Sequence, residues 1–118
     1  METRLGLIEE RFAQLLWEHA PLSTREMIVL AENELNWKRT TTYTVLKKLC
    51  DRGLFEMKNK TVTALMSQEE FRAVRGEQFV EHNYNGSLPA FIAAFTARNK
   101  MTKEERDEIK KLIDAFEE

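Results

Sequence analysis

One cysteine and two histidines stand among 118 residues, and no stretch of the chain approaches the roughly 20 consecutive apolar residues of a membrane-spanning helix. Each scarcity excludes something. Cys50 has no intramolecular disulfide partner and reads as a thiol at the edge of a helix interface. His19 and His82 lie far apart without paired acidic or cysteine neighbours, so they read as helix-surface or interface residues and not as zinc ligands or catalytic bases. No phosphate-binding loop, nucleophile–base pair or metal-ligand set is present, which argues against an enzyme; no catalytic residue, metal or cofactor is expected. Met1-Glu2-Thr3-Arg4 leads into an acidic helix and not into the apolar region of a signal peptide. The expectation is a cytoplasmic protein with no membrane insertion.

What the chain does have is an uneven charge. The net value of −2 averages over two unlike segments. From Lys38 to Lys60 there are seven basic residues against two acidic ones, an excess of +5, whereas residues 101 to 118 hold four basic against seven acidic, or −3. Only the local field meets a phosphate, so a basic segment in an acidic chain is compatible with DNA contact.

Three capping boxes mark helix starts: Ser23-Thr-Arg-Glu26, Ser67-Gln-Glu-Glu70 and Thr102-Lys-Glu-Glu105. In each, the hydroxyl and the carboxylate three residues later satisfy N–H groups that the first turn leaves unpaired. A first helix is expected from near Gly6 to before Pro21, with Ile8, Phe12, Leu15 and Leu16 as its core stripe and Trp17 beside it. A second starts at Ser23, packs through Met27, Ile28 and Ala31, and turns at Asn33 to Trp37. A third runs from about Arg39 to Arg52 and stops at Gly53, suited to a left-handed cap. Leu54–Lys58 and Thr61–Leu65 then read as a hairpin turning at Asn59-Lys60.

The third helix is two-faced. Val45, Leu46 and Leu49 fall on one side, while Thr40, Tyr43, Thr44 and Lys47 project from the other at about 100° per residue. Such a face offers donors to phosphate oxygens and base edges. Three helices followed by a basic hairpin are the order of a winged helix-turn-helix. The fold expected is mainly α with a small β-hairpin: a winged helix-turn-helix domain over residues 1–66, then a helical dimerisation arm over residues 67–118. The arm's apolar positions, Phe79, Phe91, Ile92, Phe95, Ile109, Leu112, Ile113 and Phe116, suit either a second copy of the chain or a fold-back on the same domain. A winged-helix module that binds protein and not DNA is the alternative function, since fold alone does not settle function.

The chain resembles the BlaI/MecI penicillinase-repressor family of bacterial winged-helix regulators from about Leu5 to its C-terminus. The resemblance is carried by Leu16-Trp17-Glu18, Pro21-Leu22-Ser23-Thr24-Arg25-Glu26, Trp37 and Thr41-Thr42-Tyr43-Thr44-Val45-Leu46-Lys47-Lys48-Leu49 with Gly53-Leu54. Gly86-Ser87-Leu88, Ala93-Ala94-Phe95 and Leu112-Ile113 extend it. It implies a homodimer whose two winged helices bind an inverted-repeat operator in double-stranded DNA and repress transcription. Thr41, Tyr43 and Thr44 would read phosphates and base edges, supported by Arg39, Thr40, Lys47 and Lys48, with Arg25, Lys58 and Lys60 on the backbone. The beta-lactam branch of the family is inactivated by proteolysis at an Asn-Phe bond, here Ala94-Phe95, which brings in a membrane-embedded sensor peptidase as a partner. This chain lacks the characteristic Asn, the wing's usual Gly-Arg step and the paired Cys-x-Cys motifs of the copper-responsive branch, and Glu10 stands where an aromatic is common.

Overall fold

A computed structural model describes residues 4–116; of the N-terminal lead-in, Met1, Glu2 and Thr3 lie outside the described residues. In order, the elements are α1 (Leu7–His19), β1 (Leu22–Ser23), α2 (Thr24–Leu35), α3 (Arg39–Asp51), β2 (Phe55–Lys58), β3 (Thr61–Ala64), α4 (Gln68–Tyr84), α5 (Leu88–Arg98) and α6 (Lys103–Ala115). They form two compact units that divide within α4, after Gly76.

The core of the first unit is built from one face of each helix. Phe12, Ala13 and Leu16 of α1, Met27 and Ala31 of α2, and Val45, Leu46 and Leu49 of α3 are buried with Leu54, Phe55, Val62 and Phe71. Ile8, expected in the α1 stripe, is instead 64% exposed. The first turn of α1 is held by charge: Glu9 lies 3.6 Å from Arg52 and Glu10 2.7 Å from Arg75. Glu10 thus forms an ion pair at the position where an aromatic is common in the family.

All three capping boxes form, with Ser23, Ser67 and Thr102 each receiving the N–H of the Glu three residues on. α2 continues to Leu35, past the expected turn at Asn33, because Asn36 takes the left-handed conformation (φ 56°) that closes it. Asn tolerates that region better than most residues. α3 ends as anticipated at Gly53 (φ 79°): the Gly53 N–H donates to the Cys50 carbonyl and the Leu54 N–H to that of Leu49. This double bond pattern satisfies two of the helix's orphan carbonyls and delivers Leu54 into the core.

The hairpin gains a third strand. Leu22 and Ser23 pair with Val62 and Thr61, giving an antiparallel sheet in the order β1-β3-β2. Two residues that follow a proline, the second of them the helix cap itself, carry no alternation to reveal them as a strand; the pairing comes from β3 lying alongside. At the hairpin tip Asn59 (φ 54°) and Lys60 (φ 60°) are both left-handed, the geometry of the tight turn whose twist matches the strands.

The boundary expected after residue 66 is displaced, because the compact unit runs ten residues further, to Gly76. Phe71 explains the difference. It is 1% exposed and packs its ring against Trp17 at 5.4 Å, while Trp17 also meets Phe55 at 5.1 Å and donates its indole N–H to the Met66 carbonyl at 2.8 Å. The start of α4 is therefore part of the winged domain's core.

The second unit has a different character. Phe79, Tyr84 and Phe91 form a cluster of rings with centroids 5.5 to 6.2 Å apart, extended by Phe95. Around it the apolar side chains face outward: Phe79, Leu88, Ile92 and Phe95 on α4 and α5, and Leu112, Ile113 and Phe116 at the C-terminal end, are between 39% and 75% exposed. Phe91 and Ile109 are half-buried.

Candidate nucleic-acid interface

The exposed side of α3 is a continuous arc. Val45, Leu46, Leu49 and Thr42 face the core, the Thr42 hydroxyl donating to the Lys38 carbonyl at 3.0 Å. At about 100° per residue Thr44 falls at the centre of the opposite arc, with Tyr43 and Lys47 toward one edge and Thr41 and Lys48 toward the other. Thr40, Thr41, Thr44, Lys47 and Lys48 are exposed and Tyr43 is half-buried. The Thr44 hydroxyl donates to the Thr40 carbonyl at 2.9 Å, so its oxygen is left to accept from a ligand.

The start of α3 is electropositive twice over. Its first turn holds no acidic residue, and Lys38 and Arg39 stand there; the unpaired N–H groups of a helix N-terminus add a partial positive charge. Tyr43 orients one of the cations, with the Arg39 guanidinium 5.7 Å over its ring centroid. Arg25 from α2, Arg39 from α3 and Lys60 from the wing turn all line one concavity beside Tyr43. Its third wall is pinned, because the Lys60 carbonyl accepts from the Thr24 N–H at 3.0 Å. Lys58 lies exposed on β2 beside the turn.

Two features of this surface escape the reading of residue types. Lys47, placed on the reading face, pairs with Asp51 at 3.0 Å; the four-residue spacing is visible in the sequence and signals such a pair. The other is apolar: Ile28, Val29 and Met57 share the concavity with the three cations, a grouping that joins α2 to β2 and has no local signature. Cys50 lies half-buried at the far end of α3. Burial pushes its thiol above the ordinary value, Asp51 and Glu56 add to the shift, and a backbone hydrogen bond from Met57 partly opposes it. Among the described residues no group of His, Cys, Asp and Glu could hold a metal ion, and no helix is long and apolar enough to cross a membrane.

This constellation, a two-faced third helix between a capped second helix and a basic wing, coincides with a match to the family described as Penicillinase repressor over residues 5–115. The chain belongs to the penicillinase-repressor family. Members are DNA-binding regulators and not enzymes, and this penicillinase-repressor family protein is a transcriptional repressor of that class. Among curated proteins it is similar to a penicillinase repressor of Bacillus licheniformis, 21% identical over 105 residues that cover 86% of this chain and 82% of that one.

Proposed function

We propose that the protein acts as a homodimer that represses transcription by seating α3 of each copy in the major groove of an inverted-repeat DNA operator. The observation that carries the reading is the exposed arc of α3 centred on Thr44, flanked by Arg25, Arg39 and Lys60 in a concavity lined by no carboxylate. Thr41 and Tyr43 meet base edges and phosphates, Thr44 accepts from base-edge N–H groups or turns its hydroxyl from the Thr40 carbonyl to a phosphate, Thr40, Lys47 and Lys48 support them, and Lys58 and Lys60 reach the backbone beside the groove. Phosphate contacts fix the register while base contacts choose the site.

Dimerisation is supported by the exposed large apolar side chains of the second unit, the kind of surface that marks protein interaction sites. Phe79, Ile92, Phe95, Ile109, Leu112, Ile113 and Phe116 supply that face, with Phe91 beneath it. The bond that matches the beta-lactam branch's cleavage site is Ala94-Phe95, where a membrane-embedded sensor peptidase would act, although this chain departs from that branch's pattern in having Ala94 in place of the Asn. Both residues are exposed on α5, so cleavage requires that the helix unwind locally to present the bond.

A mobility-shift assay with DNA from the chain's own promoter tests the central claim. Thr44→Ala combined with Lys48→Ala is expected to weaken binding at least tenfold and to flatten its salt dependence by about one unit of slope, one phosphate contact being lost. Unchanged affinity at moderate salt would exclude this face as the reader. A wild-type chain that never retains DNA yet captures one defined protein would favour an interaction module.

A further inference from the structure

The concavity between α2, the start of α3 and the wing turn has a volume of about 480 Å³, within the roughly 300–1,000 Å³ of small-molecule sites. Its walls carry two chemistries. Arg25, Arg39 and Lys60 contribute three cations without a carboxylate among the lining residues. Ile28, Val29 and Met57 contribute an apolar wall on which Val29 is 50% and Met57 48% exposed. Phosphate recognition calls for cations and N–H donors, and it gives those apolar side chains no task. The shape stands before any ligand arrives, since the Thr24–Lys60 hydrogen bond holds the wing turn against α2 and Tyr43 supports Arg39.

We propose that this concavity binds a small amphipathic anion, an aromatic or short aliphatic carboxylate. Its charged group meets the three cations and its apolar body lies on Ile28, Val29 and Met57. The regulatory consequence rests on the DNA reading above: the ligand occupies cations assigned to operator phosphates, so its binding releases the operator.

The test uses the full chain and 1-naphthoate as the probe, with 1-naphthalenemethanol as its uncharged counterpart. Calorimetry without DNA is expected to show naphthoate binding and at least about tenfold weaker binding of the alcohol. The double variant Val29→Asn with Met57→Gln, both at half-exposed positions, is expected to lose naphthoate binding while keeping operator affinity within about twofold. Each substitution is also made singly, with circular dichroism to verify folding. In competition, naphthoate at ten times its Kd is expected to lower apparent operator affinity about a hundredfold in the wild-type dimer, about tenfold for each of its two sites by simple mass action, and not in the variant. No naphthoate binding at millimolar concentration overturns the site, whatever the DNA does. Equal binding by wild type and variants means an adventitious additive only, held on the exposed C-terminal faces, and also overturns it. Naphthoate bound in the concavity with operator affinity unmoved overturns the competition. A wild-type chain that fails to retain operator before any probe is added marks failure of the DNA reading itself, and calorimetry still decides the site.

Discussion

The Lys47 ammonium lies 3.0 Å from the Asp51 carboxylate, one turn further along α3, with both side chains largely exposed. Within the proposed reading face one cation is therefore partly neutralised by a neighbour that would itself approach the phosphates. Asp51→Asn is expected to tighten operator binding several-fold at low salt and to steepen its salt dependence by up to about 0.9 in slope. Stability should change by no more than about 0.5 kcal/mol, the usual contribution of an exposed pair at this spacing. Titrations at three salt concentrations check it, and an unaltered slope would place Lys47 outside the interface.

Lys60 holds a left-handed backbone at the wing tip (φ 60°), where glycine has no steric penalty. Lys60→Gly is expected to stabilise the fold by about 1 kcal/mol. For a domain of this size that raises Tm by about 4–8 °C. The same change removes a proposed phosphate contact, so operator binding should weaken as stability rises. Thermal unfolding and a DNA titration on the same variant separate the two effects, and a fall in Tm would show that the side chain, and not the turn, governs stability here.

Leu112 is 70% exposed, whereas Phe91 is in ring contact with Phe79, Tyr84 and Phe95. Aspartate at the two positions should therefore act differently. Leu112→Asp is expected to yield folded monomers by sedimentation, an unpaired charge being costly in an apolar interface. Phe91→Asp is expected to disrupt the second unit itself, with lost helical circular dichroism, because it breaks an intrachain ring cluster and sets a charge among its rings. A wild type that is monomeric at micromolar concentration would remove the basis for the dimer.

For Cys50 the thiol stands above its ordinary value of 9.0, burial being the main cause. At neutral pH it is expected to react with an aromatic disulfide reagent far more slowly than the unfolded chain does, and to gain reactivity as pH rises past that value. The stability consequence has a definite sign. A thiol whose folded value is raised contributes stability that is fully present below the unfolded value and is lost as pH rises through the folded one. Alkaline solutions should weaken folding, and Cys50→Ser should reduce that dependence. A thiol that reacts at pH 7 as fast in the folded chain as in the unfolded one would refute the burial argument.

What is legible in the chain follows the range of the interactions concerned. Capping boxes, the Gly53 stop and the two faces of α3 are set by residues within a few positions of one another, and each forms as the spacing implies. The motifs that tie the chain to its family lie along the same local elements, which is why class and fold can be read from residue order alone. Local patterns mislead where a contact reaches across the chain. Ile8 obeys the helical period yet faces solvent, because a period says which residues share a face and not whether anything covers it.

The sequence by itself determined the helices, their stops, the basic segment and the kind of surface that α3 would offer, all consequences of backbone and side-chain chemistry within about a helical turn. Only the tertiary structure decided that Leu22-Ser23 would become a strand, that Phe71 would carry the start of α4 into the winged domain's core, and that Arg25, Arg39 and Lys60 would surround one concavity with Val29 and Met57. Those groupings depend on where separate elements pack, a choice made by burial of the whole core and recorded in no single segment of the chain.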